Sequence, residues 1–268
     1  MFYNATSGKI EIGSSDMDFV SFGKGDKCLV MIPGLSDGLR TVKGMAAPLA
    51  MMYRCFASSY KVYVLSRKNH IETGYYTRDM AADYAAAMEK LGISRADVIG
   101  VSQGGMIAQY IAIDYPELVG KLVLAVTLAK QNETVQRVVG SWIKMAELND
   151  YRNIFIDTAE KSYTEKRLKK YRPLYPLFSR IGRPKNFDRF IIQANACINH
   201  DAYSQLHTIK CPTLVIGADS DKVVGAKTSE EIAEKVKHSK LIVYEGYGHC
   251  VHEEAKDFNH RILEFLNS

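Results

Sequence analysis

Short runs of consecutive apolar residues recur along the chain, and each run is bounded by a turn signal. Runs of this length and composition are typical of strands that are buried on both faces of a parallel sheet. They are Cys28–Ile32, Val62–Ser66, Asp97–Val101, Lys121–Val126, Thr213–Gly217 and Lys240–Tyr244. Near the N-terminus, Lys9–Ile12 and Met17–Phe22 predict a hairpin at the edge of this sheet.

Helical patterns follow most of these predicted strands. They cover Met80–Leu91, Gly104–Tyr115, Glu230–Lys237 and Ala255–Leu266. Alternation of strand and helix is typical of sheets whose parallel strands are joined by right-handed crossovers. The pattern therefore predicts an α/β fold in which helices flank a mostly parallel sheet.

The alternation stops between residues 129 and 208, where the sequence is helical and polar with scattered aromatic residues. We predict a helical cap at 129–208, inserted into a core formed by residues 1–128 and 209–268. The aromatic residues are expected to pack mainly within this insertion, since such side chains supply large apolar areas. Trp142 is also the candidate from this segment for lining an apolar substrate pocket.

The chain carries a mild excess of positive charge, with a formal net charge of +5 over 268 residues. Nine basic residues lie between Lys161 and Lys185, and only Glu165 opposes them. A solvated helix face is the ordinary interpretation, and attraction of an anionic substrate is the alternative. No nucleic-acid-binding motif accompanies the basic stretch, so we expect no nucleic-acid partner.

Several protein classes are excluded by what the sequence lacks. The sequence contains no run of about 18 apolar residues, the length that a membrane-spanning helix needs. Residues 1–27 lack the basic start and apolar stretch of a secretory signal, so we expect a cytoplasmic protein. The five cysteines form no CxxC pair, which favours reduced thiols over disulfides or a structural metal site.

The motif with the most specific chemistry is a GxSxG pentapeptide, Gly100–Gly104, with Ser102 at its centre. It follows one predicted strand and opens a predicted helix, which is the setting of a nucleophile elbow. In such a turn the serine adopts a strained backbone, and its hydroxyl projects from the carboxyl edge of the sheet. Ser102 is therefore the candidate nucleophile.

A serine hydroxyl needs a base within hydrogen-bonding distance to act as a nucleophile. His249 follows the last predicted strand, in a loop that contains two glycines, and is the candidate base; His252 is its nearest rival. The base needs a carboxylate to fix its tautomer. Asp219 and Asp221 both follow the strand before it, and we favour Asp221 because Asp219 suits a turn-capping role.

Two backbone N–H groups are needed to stabilise the oxyanion of an acyl-transfer reaction. One is expected from Gln103, the residue after the nucleophile. The other is expected from Leu35, in the loop after the first buried strand, where Gly34 permits a tight turn. The candidate triad has the chain order Ser102, Asp221, His249, the order found in α/β-hydrolases.

Four segments together resemble the α/β-hydrolase superfamily over nearly the whole chain. They are IPGLSDG, GVSQGGMIAQYIAIDYPELVGKLVLAV, CPTLVIGADSDKVV and EGYGHCVHEE. The subgroup most similar to this chain contains 3-oxoadipate enol-lactonases, small carboxylesterases and cofactor-free perhydrolases. The resemblance implies an eight-stranded sheet, a helical cap after the sixth strand and no cofactor. It also implies hydrolysis of an ester or lactone bond in a small molecule.

Two segments differ from the pattern of these relatives. Pro33–Gly34 stands where many of them have His-Gly, and SRKNHIETGYYT replaces a glycine-rich turn. We expect Arg67, Lys68 and His70 to lie near the mouth of the site, with His70 a candidate substrate-binding residue. Amidases, iminopeptidases, carbon–carbon bond hydrolases and acyltransferases share this fold and remain alternatives, as does a non-catalytic small-molecule binder.

Overall fold

The computed structural model describes residues 3–268 and contains one eight-stranded sheet. Its spatial order is β1-β2-β4-β3-β5-β6-β7-β8. The strands are β1 (Thr6–Ile12), β2 (Ser15–Phe22), β3 (Lys27–Ile32), β4 (Tyr60–Lys68), β5 (Ala96–Val101), β6 (Val119–Ala125), β7 (Thr213–Ala218) and β8 (Ser239–Tyr244). The hairpin β1–β2 is antiparallel and lies at the edge, as predicted. Strand β2 pairs antiparallel with β4, and all pairs from β4 to β8 are parallel.

Eleven α-helices accompany the sheet in the described part of the chain. They are α1 (Ala46–Met52), α2 (Thr77–Lys90), α3 (Gln103–Asp114), α4 (Glu133–Glu147), α5 (Tyr151–Ser162), α6 (Glu165–Tyr171), α7 (Tyr175–Phe178), α8 (Asp188–Ile198), α9 (Thr228–Lys235), α10 (Val251–Glu254) and α11 (Phe258–Asn267). The helix predicted at Ala255–Leu266 begins later than expected, at Phe258, because a short non-helical stretch separates α10 from α11. Within residues 3–268 no helix has the length and apolar composition needed to cross a bilayer.

The central strands send alternate side chains into two separate cores. In β6, Leu122 and Leu124 belong to the core beneath α2 and α3, whereas Val123 belongs to the core beneath α1 and α11. This period of two is the side-chain alternation of a strand, and burial on both faces explains why the strands are continuously apolar. Because these strands are parallel, the carboxyl ends of β3, β5, β7 and β8 lie along one edge of the sheet, where the loops that follow them can meet.

The segment between β6 and β7 contains α4 to α8 and no strand. Its two ends lie side by side, since Lys130 and Asp201 form an isolated bridge and the Ala202 N–H donates to the Ala129 carbonyl at 2.8 Å. Helix α4 packs Val139 and Trp142 into a cluster that includes Leu35 of the core. We call residues 129–208 the helical segment; its status as a separate cap domain stays a prediction.

His200 is a buried histidine at the base of the helical segment, with 1% of its surface exposed. Its Nδ1 lies 2.9 Å from Thr77 Oγ1, and its Nε2 lies 3.4 Å from Gln109 Oε1. Burial lowers the pKa of His200 to about 3. The imidazole is therefore neutral in the folded chain at pH values where an unfolded chain would protonate it.

Acid should destabilise the fold through His200. Between the unfolded pKa of about 6.5 and the folded value, only the unfolded chain binds the proton, so stability falls as pH falls. From pH 7 to pH 5 this group alone should remove about 2 kcal/mol from the free energy of unfolding. Urea titrations at pH 7 and pH 5 should show that the free energy of unfolding falls less in His200→Gln than in the wild type. Equal losses would contradict this role.

Candidate active site

Ser102 lies at a sharp turn between β5 and α3. Its backbone angles are φ 54° and ψ −120°, a left-handed conformation that costs a non-glycine residue about 1–3 kcal/mol. Hydrogen bonds hold the turn: Ser102 N–H donates to the Ala125 carbonyl at 2.9 Å, and Thr127 Oγ1 donates to the Ser102 carbonyl at 2.8 Å. The sequence prediction of a strained elbow agrees with this geometry.

The glycines of the motif allow helix and strands to approach each other closely. A Cβ on Gly104 would lie 2.0 Å from the Ile32 carbonyl oxygen, and one on Gly100 would lie 2.4 Å from the Gly104 oxygen. Both distances are shorter than any non-bonded contact, so only glycine fits at these positions. The motif therefore fixes Ser102 beside the end of β3.

Three distant segments bring their side chains into one hydrogen-bonded row. His249 Nε2 lies 2.9 Å from Ser102 Oγ, and His249 Nδ1 lies 2.7 Å from Asp221 Oδ2. His249 and Asp221 are buried, with 8% and 6% of their surfaces exposed. The row has the arrangement expected from the sequence, with Asp221 following β7 and His249 following β8.

The second oxygen of Asp221 determines how the row is protonated. Asp221 Oδ1 accepts the backbone N–H groups of Val223 at 2.8 Å and Val224 at 3.0 Å. An ionised carboxylate only accepts hydrogen bonds, so Nδ1 of His249 must donate to Oδ2. The lone pair of Nε2 then faces the Ser102 hydroxyl, which is the tautomer that a general base requires.

The alternatives to Asp221 and His249 have other partners. Asp219 is exposed, and its Oδ1 accepts from Ser220 Oγ at 2.9 Å and from the Gly246 N–H at 2.8 Å, which is a turn-stabilising role. His252 Nε2 lies 3.7 Å from Glu253 Oε1, and burial lowers the pKa of His252. Among residues 3–268, neither rival makes a hydrogen bond to the side chain of Ser102, or takes the place of Asp221 or His249 in the row.

Cys250 is a further nucleophilic side chain next to His249. Burial raises the pKa of its thiol, and the nearby carboxylate of Glu253 raises it further. Because the thiolate is the reactive form of cysteine, a thiol that keeps its proton is a poor competitor for Ser102. All five cysteines are unpaired in the structure, and their reduced state stays a prediction.

The two proposed oxyanion donors are the first residues of helical turns. Leu35 begins a short 3₁₀ helix and Gln103 begins α3, so both N–H groups are among those that intrahelical bonding leaves free. A Cβ on Gly34 would lie 3.9 Å from Ser102 Oγ, which places the Gly34–Leu35 peptide next to the nucleophile. This proximity supports the pair proposed from the sequence.

Arg67 lies beneath the oxyanion loop, and the prediction that it lies at the mouth of the site is wrong. It is 1% exposed, and its guanidinium donates to the carbonyls of Pro33 at 2.6 Å and Gly34 at 3.1 Å. It also donates to Gln103 Oε1 at 2.8 Å. Strand β4 extends to Lys68, two residues past the predicted end, and this extension carries Arg67 into the interior.

Asp37 and Arg189 complete the buried network around Arg67. Asp37 Oδ2 lies 3.5 Å from the Arg67 guanidinium and 2.5 Å from Arg189 Nη2. Arg189 belongs to α8, and it also donates to the Lys68 carbonyl at 2.8 Å. A buried charge is tolerated only when it is paired and hydrogen-bonded, so this network anchors the helical segment to the loop that carries Leu35.

The two predicted substrate-binding residues have partners of their own in the structure. Trp142 is 5% exposed, its indole donates to Asp157 Oδ2 at 2.6 Å, and its ring packs in the cluster with Leu35. His70 is exposed, and its N–H donates to Ser15 Oγ at 3.0 Å on the edge hairpin. The structure thus gives Trp142 a packing role and brings His70 to the edge hairpin.

The basic stretch of the helical segment is largely exposed and partly paired. Arg172 makes ion pairs with Glu160 at 2.7 Å and with Glu165 at 2.6 Å. Arg180 and Arg183 line an open hollow of about 470 Å³ whose lining contains none of the Ser102, His249 and Asp221 row. These contacts favour the interpretation of a solvated helix face.

The network around Arg67 and the buried His200 were not found by sequence reasoning. The sequence placed Asp37 in the oxyanion loop and Arg67 in the segment that differs from the relatives, and it gave no sign that the two residues pair. Their pairing joins β4, the loop after β3 and α8, which are separated by up to 152 positions in the chain. A pattern within a short stretch of sequence does not indicate a pairing between residues so far apart.

A family model described as alpha/beta hydrolase fold matches residues 27–256. The 2-hydroxy-6-oxononadienedioate/2-hydroxy-6-oxononatrienedioate hydrolase of a Pseudomonas species is 28% identical, over 99% of this chain and 95% of that protein. The 3-oxoadipate enol-lactonase 2 of Acinetobacter baylyi is 24% identical, over 92% of this chain and 91% of that protein.

Among solved structures, an alpha/beta hydrolase enzyme from a Medee basin deep-sea metagenome library matches with a TM-score of 0.84 at 21% identity. That match covers 97% of this chain and 98% of the other. The similarity in fold therefore includes both the sheet and the helical segment.

Proposed function

Because the chain belongs to the α/β-hydrolase fold family, we propose that it is a serine hydrolase that cleaves an ester or lactone bond of a small molecule. The observation that carries this proposal is the row of Ser102, His249 and Asp221, with contacts of 2.9 and 2.7 Å. A strained serine at the head of a helix, paired with an oriented imidazole, is the arrangement of an activated nucleophile.

Acylation uses only groups in the row and the neighbouring amides. His249 Nε2 takes the proton of Ser102 as Oγ attacks the substrate carbonyl. The N–H groups of Leu35 and Gln103 stabilise the oxyanion of the tetrahedral intermediate. The intermediate collapses when the bond to the leaving oxygen breaks, and His249 returns the proton to that oxygen. The acyl group is then esterified to Ser102.

Deacylation repeats these steps with water as the nucleophile. His249 takes a proton from water, the hydroxide attacks the acyl carbonyl, and the same amides stabilise the second oxyanion. Ser102 leaves as an alkoxide and recovers its proton from His249. Asp221 stays ionised throughout and stabilises the imidazolium. The scheme uses protein groups and water alone.

We propose that the helical segment acts as the cap over this site. Its helix α4 packs on Leu35, and its helix α8 supplies Arg189 to the network beneath the oxyanion loop. A shift of the segment would therefore move the loop that holds one oxyanion donor.

A carbon–carbon bond hydrolase is the second candidate. The Pseudomonas relative acts, by its name, on 2-hydroxy-6-oxononadienedioate, a compound with hydroxyl, oxo and carboxylate groups but no ester. Hydrolysis of such a skeleton breaks a carbon–carbon bond. The same serine and oxyanion donors suit attack on that ketone, so substrate testing must separate the two reactions.

A panel of purified substrates tests the proposal. We expect esters and lactones to be hydrolysed with rates well above those for amides and for 2-hydroxy-6-oxo-dienoates. A fluorophosphonate probe should label wild-type protein at one serine, identified by peptide mass as Ser102. Labelling without turnover of any ester or lactone would reject the ester assignment, and absence of labelling would favour a non-catalytic binder.

A further inference from the structure

A cavity of about 360 Å³ adjoins the candidate site on the side of the sheet covered by α1 and α11. Its wall includes Gly34 and Val101, and both residues lie next to Ser102. A Cβ built on Gly34 would lie 3.9 Å from Ser102 Oγ, and glycine leaves this position empty. Two residues of the cavity wall are therefore neighbours of the nucleophile.

The cavity wall is mainly apolar and contains several methionines. Met31, Met45 and Met52 line it together with Leu49 and Phe56. Met52 is 55% exposed, which is high for so apolar a side chain, and it lies at the end of α1. Methionine side chains are unbranched and adapt to ligands of different shape. A wall of this kind suits a flexible hydrocarbon chain.

The charges around the cavity are compensated or lie in solvent. Asp37 is paired with the two guanidinium groups of the network described above. Arg40 and Glu253 are exposed. His252 lines the cavity, and because burial lowers its pKa it is neutral near pH 7. Arg40 is the one lysine or arginine among the described residues that line the cavity, so the wall holds no buried cation to receive an anionic chain end.

The opposite side of the oxyanion loop is filled by protein. Leu35, Val139, Trp142, Val223 and Val224 are all buried in one apolar cluster there. Trp142 is fixed by its hydrogen bond to Asp157 at 2.6 Å. Side chains are therefore packed on the α4 side of the oxyanion loop, whereas the cavity lies on its α1 side.

We infer that the cavity beside Gly34 binds the acyl chain of the substrate, and that this chain is apolar and uncharged. The inference rests on the proposed ester hydrolysis at Ser102. At roughly 30 Å³ for a water-sized group, the cavity of about 360 Å³ has room for a chain of up to about twelve carbons. Each buried methylene contributes about 0.8 kcal/mol, so kcat/KM should rise about fourfold per methylene within that length.

Chain-length profiles test this assignment. For p-nitrophenyl esters from acetate to hexadecanoate, kcat/KM should rise up to about twelve carbons and then fall. Leu49→Trp should fill the cavity and lower the octanoate-to-acetate ratio of kcat/KM by about tenfold or more. Leu49→Ala should move the optimum to longer chains. A monoester of adipate, which carries a terminal carboxylate, should react about tenfold more slowly than hexanoate.

Met51→Trp is the matched control, because Met51 lies in the same helix, is 43% exposed and is absent from the cavity wall. Its chain-length profile should equal that of the wild type. An unchanged octanoate-to-acetate ratio in Leu49→Trp, with correct folding by circular dichroism, would overturn the inference.

Calorimetric binding of hexanamide to Ser102→Ala protein gives a readout that does not need turnover. Affinity should fall at least tenfold when Leu49→Trp is added, and equal affinity would overturn the inference. If the cavity binds hexanamide but the wild type hydrolyses no ester, the proposed function fails while the cavity assignment stands.

Discussion

Replacing Ser102 with alanine should reduce kcat for ester hydrolysis by about 10⁴- to 10⁶-fold, because the enzyme loses the atom that forms the acyl intermediate. The oxyanion donors and the substrate cavity remain, so any residual rate above that of water comes from these groups. Steady-state assays with p-nitrophenyl esters, extended by single-turnover measurements, would measure the loss.

The same substitution should leave the fold intact. The backbone at position 102 stays at a positive φ, and its hydrogen bonds to Ala125 and Thr127 use main-chain atoms of residue 102. Circular dichroism and the melting temperature should therefore be close to those of the wild type.

Ser220→Ala is the matched control, since Ser220 is exposed and its hydroxyl donates to the Asp219 carboxylate, outside the row. This variant should retain full activity. Undiminished hydrolysis by Ser102→Ala would reject Ser102 as nucleophile, and a comparable loss in Ser220→Ala would reject a specific effect.

The sheet and the row of three side chains were predictable because local signals specify them. Continuous apolar runs identify strands buried on both faces, and parallel strands place their following loops at one edge. Ser102, Asp221 and His249 each lie in the turn or loop that follows such a strand, so their convergence follows from topology. The glycines at 100 and 104 add a steric requirement that is visible in the sequence itself.

Side chains whose surroundings come from distant segments were not predictable. Arg67 was expected near the mouth of the site because it stands in the loop predicted to follow β4. It is buried because Asp37 and the carbonyls of Pro33 and Gly34 neutralise and solvate it, and none of these is a sequence neighbour. Trp142 was expected to line a pocket, but Asp157 and the packing around Leu35 hold it inside the helical segment.

Asp221→Asn should lower kcat about 10⁴-fold by reversing the tautomer of His249. The backbone N–H groups of Val223 and Val224 both point at one oxygen of residue 221, so the amide oxygen of asparagine must take that position. Its NH₂ group then faces Nδ1 of His249 and donates to it. Nε2 must carry the proton, and it can no longer accept one from Ser102.

Asp219→Asn tests whether that loss belongs to position 221 alone. Asp219 follows the same strand, and its carboxylate accepts from Ser220 and Gly246, whereas His249 Nδ1 pairs with Asp221. Asparagine can accept the same two bonds, so activity should fall by less than tenfold. The decisive measurement is the ratio of the two kcat values under saturating substrate, since the tautomer affects proton transfer and not binding. Equal losses in both variants would mean that the loop, and not the carboxylate at 221, orients His249.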